Sequence, residues 1–272
     1  MKKSRLKKVL KWILVAFIIY IASGIALYFF QDKILFHPTV LPETYQYDFP
    51  VPFREINLAV TKEKNISIIQ FKVPDSLSRG VILYFHGNMQ NINRYAMCAS
   101  DITKNNYEVW MIDYPGFGKS TGKRSEKIMY EDALRLYQMA RARFSPDSIV
   151  LYGRSIGTGM ASQLASVRDC KTLILEAPFY SINAVARQYF FIYPMAMMTE
   201  YSFPVYRYLE NISIPIYIFH GTDDKVISYK NALRLMNSKK NNVELITIEK
   251  GKHNNLRNFP VFHQKLDSIL KL

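Results

Sequence analysis

The stretch LYGRSIGTG, residues 151–159, sets Ser155 between Gly153 and Gly157 directly after the apolar run SIVLY. A serine hydroxyl is a weak nucleophile until a base takes its proton, and it must stand clear of the chain to reach a carbonyl carbon. A sharp strand-to-helix turn lifts it, and glycines two residues away on each side remove the side chains that would crowd it. The following TGMASQLASV, rich in small residues, reads as a helix start whose N–H groups and dipole favour developing negative charge. The chemistry on offer is acyl transfer through a covalent serine intermediate. A glycine-flanked turn that only reverses the chain has the same residues, so the reading depends on the partners this serine needs.

The base has five candidates: His37, His86, His220, His253 and His263. His220 closes an apolar strand and His263 lies within the last helical pattern, which suits packing roles. His253, in KGKHNNL, occupies a polar loop after the last strand, where a base at the carboxyl end of a parallel sheet can reach a cleft. The acid that orients its ring is expected in FHGTDDKVIS, where Asp223 and Asp224 are adjacent. Glu176, which closes the strand before, is a third option, and local chemistry does not choose among them. The candidate oxyanion donors are the backbone amides of Asn88, in LYFHGNMQN, and of Ile156, the residue after the serine. His86 either takes part there or buttresses that loop. Cys98 and Cys170 form no metal or redox pattern and read as two buried thiols; neither a cofactor nor a metal is expected.

The elements that must position these groups alternate. Strands are expected at 55–60, 66–73, 80–86, 107–114, 148–153, 172–177, 214–220 and 243–249, and helical patterns at 125–144, 228–238 and 259–272. Several strands are near-continuous apolar runs, as in strands covered on both faces. The fold class is α/β, with a mainly parallel sheet between helices. The short link TKEKN makes the first two strands an antiparallel edge hairpin.

Ahead of this body, Lys2, Lys3, Arg5, Lys7, Lys8 and Lys11 precede the nineteen uncharged residues Trp12–Phe30. At about 1.5 Å per residue that run nearly spans a hydrocarbon core of about 30 Å. A cleaved secretory signal and an uncleaved signal anchor both fit the pattern. The run exceeds the usual signal length and continues as aromatics past IASG, which favours the anchor. The positive-inside rule then keeps the N-terminus cytoplasmic and exports the body. The division is anchor 1–31 and body 32–272. The net charge is +14, but beyond the leading cluster Lys and Arg are scattered among acids, which argues against a nucleic-acid partner.

The chain resembles the α/β-hydrolase superfamily over roughly residues 32–272. More narrowly it is similar to the small, N-terminally membrane-anchored branch of bud-emergence-like hydrolases and abhydrolase-domain depalmitoylases. The stretches QDKILFHP, YFHGN, DYPGFGKSTG, YGRSIGTG, LEAPF, HGTDDKVIS and GKHNN carry the resemblance together. It implies the α/β-hydrolase fold, the chain order Ser155, acid, His253, and Asp224 rather than Asp223 as the acid. It also implies that Asp113, in the DYPGFGKS marker, ties its loop together. By that resemblance the function is a membrane-anchored serine hydrolase of esters or thioesters acting on a small-molecule or lipid-like substrate. The triad does not itself distinguish leaving groups, so a serine peptidase or amidase is the alternative enzyme. A non-catalytic membrane-tethered binding protein is the alternative of another class.

Between two strands, where this fold inserts its cap, residues 179–210 are aromatic-rich. Phe179 to Tyr208 alone holds ten aromatics and three methionines. Part must be cap core, and the remainder could line an acyl pocket or touch a bilayer. Phe190 and Phe191 are the pair expected to enclose an acyl chain.

Overall fold

The structure, a computed structural model, describes residues 2–238 and 241–272. One helix, α1, runs from Lys2–Leu35, beyond the expected end of the anchor at residue 31. It stops where His37 precedes Pro38, a pairing that disfavours helical backbone. The stretch from Arg5 to Leu35 is long and apolar enough to cross a membrane, and nearly all of it is unburied.

Among the described residues the main sheet has eight strands: β1 (Phe53–Ala59), β2 (Asn65–Phe71), β3 (Gly80–Phe85), β4 (Tyr107–Ile112), β5 (Ile149–Arg154), β6 (Thr172–Glu176), β7 (Ile216–Gly221) and β8 (Val243–Ile248). They form one sheet in the order β8-β7-β6-β5-β3-β4-β2-β1. The pairs from β8 through β4 are parallel, while β2 runs antiparallel to both β4 and β1. All eight expected strands and the edge hairpin are present, with ends shifted by one or two residues.

Alternation within each strand feeds two cores. On one face, Leu83, Ile112, Leu151 and Leu173 pack with helices α3 (Glu126–Arg141) and α4 (Gly157–Val167). On the other, Ile82, Tyr84, Tyr152 and Ile174 pack with α2 (Met97–Thr103) and α8 (Pro260–Lys271). Cys98 belongs to the second core and Cys170 to the first, so the two thiols are free, buried and on opposite faces. Ser125 caps α3 by accepting from the Ile128 amide at 3.2 Å. The aromatic segment between β6 and β7 carries α5 (Ile182–Tyr189) and α6 (Val205–Glu210), with a single helical turn at Met195–Met198 between them. The helix α7 (Lys230–Ser238) joins β7 to β8.

The strand order reverses between β5 and β3. In an open parallel sheet that is where loops from the carboxyl ends diverge and leave a crevice. Phe85 of β3 pairs with Gly153 of β5, so the loop containing Asn88 and the turn containing Ser155 leave the sheet side by side.

Candidate active site

After β5 the chain turns through Ser155 with φ +51° before α4 begins. This left-handed conformation costs a residue with a Cβ roughly 1–3 kcal/mol. The flanking glycines are required by space. A Cβ on Gly153 would lie 2.6 Å from the Thr158 Cα, and one on Gly157 would lie 2.0 Å from the Phe85 carbonyl oxygen. The turn is pinned by the Ser155 amide, which donates to the Glu176 carbonyl at 2.9 Å.

His253 leaves the end of β8 toward this turn. Its Nε2 is 3.1 Å from Ser155 Oγ and its Nδ1 is 2.8 Å from Asp224 Oδ2. The Val226 and Ile227 amides both donate to Asp224 Oδ1 at 2.8 Å, which fixes the carboxylate's orientation. Burial pushes the Asp224 pKa up. Hydrogen bonds from His220 and His253, with the His253 charge and the Ile227 amide, outweigh burial and hold it well below the usual carboxylate range. An ionised Asp224 at Nδ1 favours the tautomer that leaves the Nε2 lone pair free toward Ser155.

His37 lines the same cavity as Ser155 and His253, and the remaining sequence candidates sit elsewhere. Asp223 is exposed, and its amide donates to the Gly251 carbonyl at 2.9 Å. Glu176 is buried behind the serine, 3.2 Å from Arg154 Nε and 3.3 Å from an Arg257 guanidinium nitrogen, so it balances cations there. His86 is fully buried, with Nδ1 2.6 Å from the Gly87 carbonyl and Nε2 3.2 Å from Asp113 Oδ1; it buttresses its loop. Asp113 also accepts from the Ile92 amide at 3.0 Å and so ties that loop to the next turn. His220 Nε2 lies 2.8 Å from the Ile227 carbonyl and 3.4 Å from Asp224 Oδ2, which braces the loop that carries Asp224. His263 Nε2 bonds the Arg257 carbonyl at 2.6 Å, away from the serine.

Ser155 and His253 open onto a cavity of about 380 Å³ that Asn88 and Ile156 also line. Its apolar wall comes from Ile34 and Leu35 at the end of α1 and from Ile182, Val185, Tyr189 and Phe190 of the aromatic segment. Arg154 is its guanidinium, and none of the described lining residues is acidic. The expectation for Phe190 and Phe191 splits. Phe190 lines the cavity, whereas Phe191 is 81% exposed and is not among the lining residues, because the chain turns just after α5 and sends adjacent side chains apart.

The family described as serine aminopeptidase, S33, matches residues 76–207. The chain is 32% identical to mouse alpha/beta hydrolase domain-containing protein 17C over 200 residues, covering 71% of this chain and 60% of that protein. It is 27% identical over 223 residues to alpha/beta hydrolase domain-containing protein aho-3 of Caenorhabditis elegans, covering 80% of this chain and 65% of that one. Among solved structures, an esterase of Pyrococcus furiosus superposes with a TM-score of 0.66 at 18% identity, covering 86% of this chain and 97% of that one. The chain belongs to the α/β-hydrolase superfamily. It spans about three fifths of the length of the curated relatives it matches.

The cavity residues to which sequence reasoning gave no part include Ile34, Leu35, Tyr95 and Arg154. Arg154 stood in plain view at the variable position before the serine. Ile34 and Leu35 fell at the very start of the expected body, just past the anchor and ahead of its first expected strand. The signal for them was the stretch QDKILFHP, a shared marker that had no assigned task.

Proposed function

We propose that the chain is a membrane-anchored serine hydrolase that cleaves carboxylic esters or thioesters with an apolar acyl chain. The observation that carries this reading is the bonded series Asp224, His253, Ser155 at the floor of a largely apolar cavity. Ser155 Oγ attacks the carbonyl carbon as His253 Nε2 takes its proton, and Asp224 stabilises the imidazolium. The Asn88 and Ile156 amides hold the oxyanion, an interaction worth about 3–4 kcal/mol per donor in comparable sites. His253 returns the proton to the leaving alcohol or thiol. Water, deprotonated by the same His253, then releases the acid from the acyl-serine.

The anchor in this reading is residues 1–31, ahead of a hydrolase unit at 32–272 whose cap is about 179–210. Six cations before the apolar run favour a cytoplasmic N-terminus and an exported catalytic unit. An aminopeptidase, the description carried by the matching family, would hold the substrate's ammonium group with a carboxylate. The absence of acids among the described lining residues, and the presence of Arg154, favour the ester reading.

Labelling of the full chain by a fluorophosphonate tests the nucleophile: wild type is labelled and Ser155→Ala is not. Equal labelling of both would sink the assignment. A panel of acyl esters, acyl thioesters and aminoacyl amides then separates the leaving groups.

A further inference from the structure

The twelve residues Gln188–Thr199 carry no charge and are bounded by Arg187 and Glu200. Within them Phe191, Ile192 and Met197 are 81%, 57% and 86% exposed. A cap that served only to close the cavity would turn such side chains inward. Here the polar groups turn inward instead, onto α1. Tyr20 Oη donates to the Ile192 carbonyl at 3.1 Å, and Ser23 Oγ lies 2.6 Å from Tyr193 Oη. The Tyr20 and Tyr193 rings stack with centroids 4.7 Å apart. A Cβ on Gly24 would come within 3.0 Å of the Tyr193 ring, so the two elements are in close contact. Further along α1, Gln31 Oε1 accepts from the Glu200 amide at 2.7 Å.

These contacts fall inside the uncharged run of α1, which extends from Trp12 to Gln31. Ser23 lies nine residues before Asp32, the first charge after that run, or about 14 Å along the helix axis. A hydrocarbon core is about 30 Å thick, so a spanning α1 carries Tyr193 toward the middle of it. Backbone at that depth is tolerated only where its polar groups find partners within the protein. The Tyr20 and Gln31 side chains are such partners for the Ile192 carbonyl and the Glu200 amide, and Ser23 pairs with the Tyr193 hydroxyl. The exposed apolar side chains of the segment continue the apolar surface of α1 without a charged break.

We infer that residues 188–199 insert into the same bilayer as α1, in the leaflet next to the hydrolase unit. The wall that Ile34 and Leu35 share with Tyr189 and Phe190 then adjoins lipid, and an acyl chain enters the cavity sideways from the membrane. The inference rests on the anchor reading of α1. Its occupant is the acyl region of a bilayer, chosen because this surface is continuous with a helix long and apolar enough to cross one.

The test uses the full chain in phosphatidylcholine vesicles, with an environment-sensitive fluorophore on one introduced cysteine at a time. Buried Cys98 and Cys170 are inaccessible under native conditions. The sites are Phe191→Cys and Met197→Cys, with Phe29→Cys as the anchor control and Asp147→Cys as the control at the opposite end of the sheet. Nitroxide placed on the lipid acyl chains should quench the probes at 191, 197 and 29, and aqueous iodide should quench only the probe at 147. Probes at 191 and 197 that follow 147 while 29 follows lipid would overturn the insertion and leave the anchor standing. A probe at 29 that follows iodide would overturn both, the anchor first. Probes at 191 and 197 shielded from both quenchers would assign the surface to protein and overturn the lipid occupant. A charge placed by Met197→Glu should slow cleavage of a vesicle-embedded long-chain ester and spare a soluble acetate ester; equal effects on the two would overturn sideways entry.

Discussion

The Asn88 side-chain amide donates to the Leu35 carbonyl at 2.7 Å, so the last turn of α1 is bonded to a residue that lines the cavity with Ser155. The same residue returns the contact, with the Asn88 carbonyl accepting from the His37 amide at 2.9 Å. A helix leaves its last carbonyls without partners, and here the Asn88 loop supplies one. Movement of the helix end is therefore movement of a proposed oxyanion donor.

Asn88→Ala keeps the backbone amide and removes only that tether. Losing one such hydrogen bond costs about 1 kcal/mol, so kcat/KM for a soluble ester should fall roughly fivefold to tenfold, mostly in kcat. Steady-state kinetics on the purified full chain reads this directly. An unchanged kcat would show that the Leu35 bond does not position the donor.

Asp224→Asn should lower kcat by up to about 10⁴, because an amide at Nδ1 can stabilise the tautomer that turns a proton toward Ser155. Asp223→Asn, a surface change, should stay within about twofold. A reversed ranking would place the acid on the wrong neighbour. The pH dependence has a definite sign. The folded-state pKa of Asp224 is depressed below its ordinary 3.8, so its stabilising contribution is complete above that value and is lost as pH falls below it. Urea unfolding should therefore separate wild type from Asp224→Asn at pH 6, and the gap should narrow as the pH falls below about 4.

The strands were legible in the sequence because β3 to β7 are buried on both faces and write themselves as apolar runs such as GVILYF and IYIFHG. The positions of Ser155 and His253 beside one another were legible for a different reason: each sits in a loop at a strand's carboxyl end, and Gly153 and Gly157 mark such a turn. Asp224 was not separable from Asp223 by local chemistry. What separates them is that only one of two adjacent side chains can point inward, and inward is set by the Gly221 turn and the Val226 and Ile227 amides. The role of His220 beside Asp224 was invisible for the same reason, since its partner is the Ile227 carbonyl seven residues on. The contact between α1 and the aromatic segment joins residues some 170 apart, and no periodicity reports a pairing of that range.

Gly157→Ala tests whether the turn is set by space. Its Cβ would meet the Phe85 carbonyl carbon at 2.6 Å and the His86 carbonyl oxygen at 2.8 Å, so strand and helix must separate. Overpacking of this kind costs about 1–3 kcal/mol, and Tm should drop by roughly 2–4 °C for each kcal/mol. Fluorophosphonate labelling should slow in the same variant at temperatures well below its Tm. Wild-type labelling together with wild-type Tm would mean the turn has slack that the structure does not contain.

The cavity wall predicts a dependence on acyl length. Each methylene moved from water into an apolar wall gains about 0.8 kcal/mol, or up to roughly fourfold in kcat/KM while the cavity still has room. For p-nitrophenyl esters kcat/KM should thus rise from acetate to at least hexanoate. Phe190 lines the cavity and Phe191 does not, so Phe190→Ala should flatten the rise and spare acetate, whereas Phe191→Ala should leave the slope intact. The pair makes the test internal, because both substitutions remove the same ring from the same segment. If acetate is already the best substrate and Phe190→Ala lowers only Tm, the aromatic wall is packing. The acyl reading would then give way to a hydrolase of small esters.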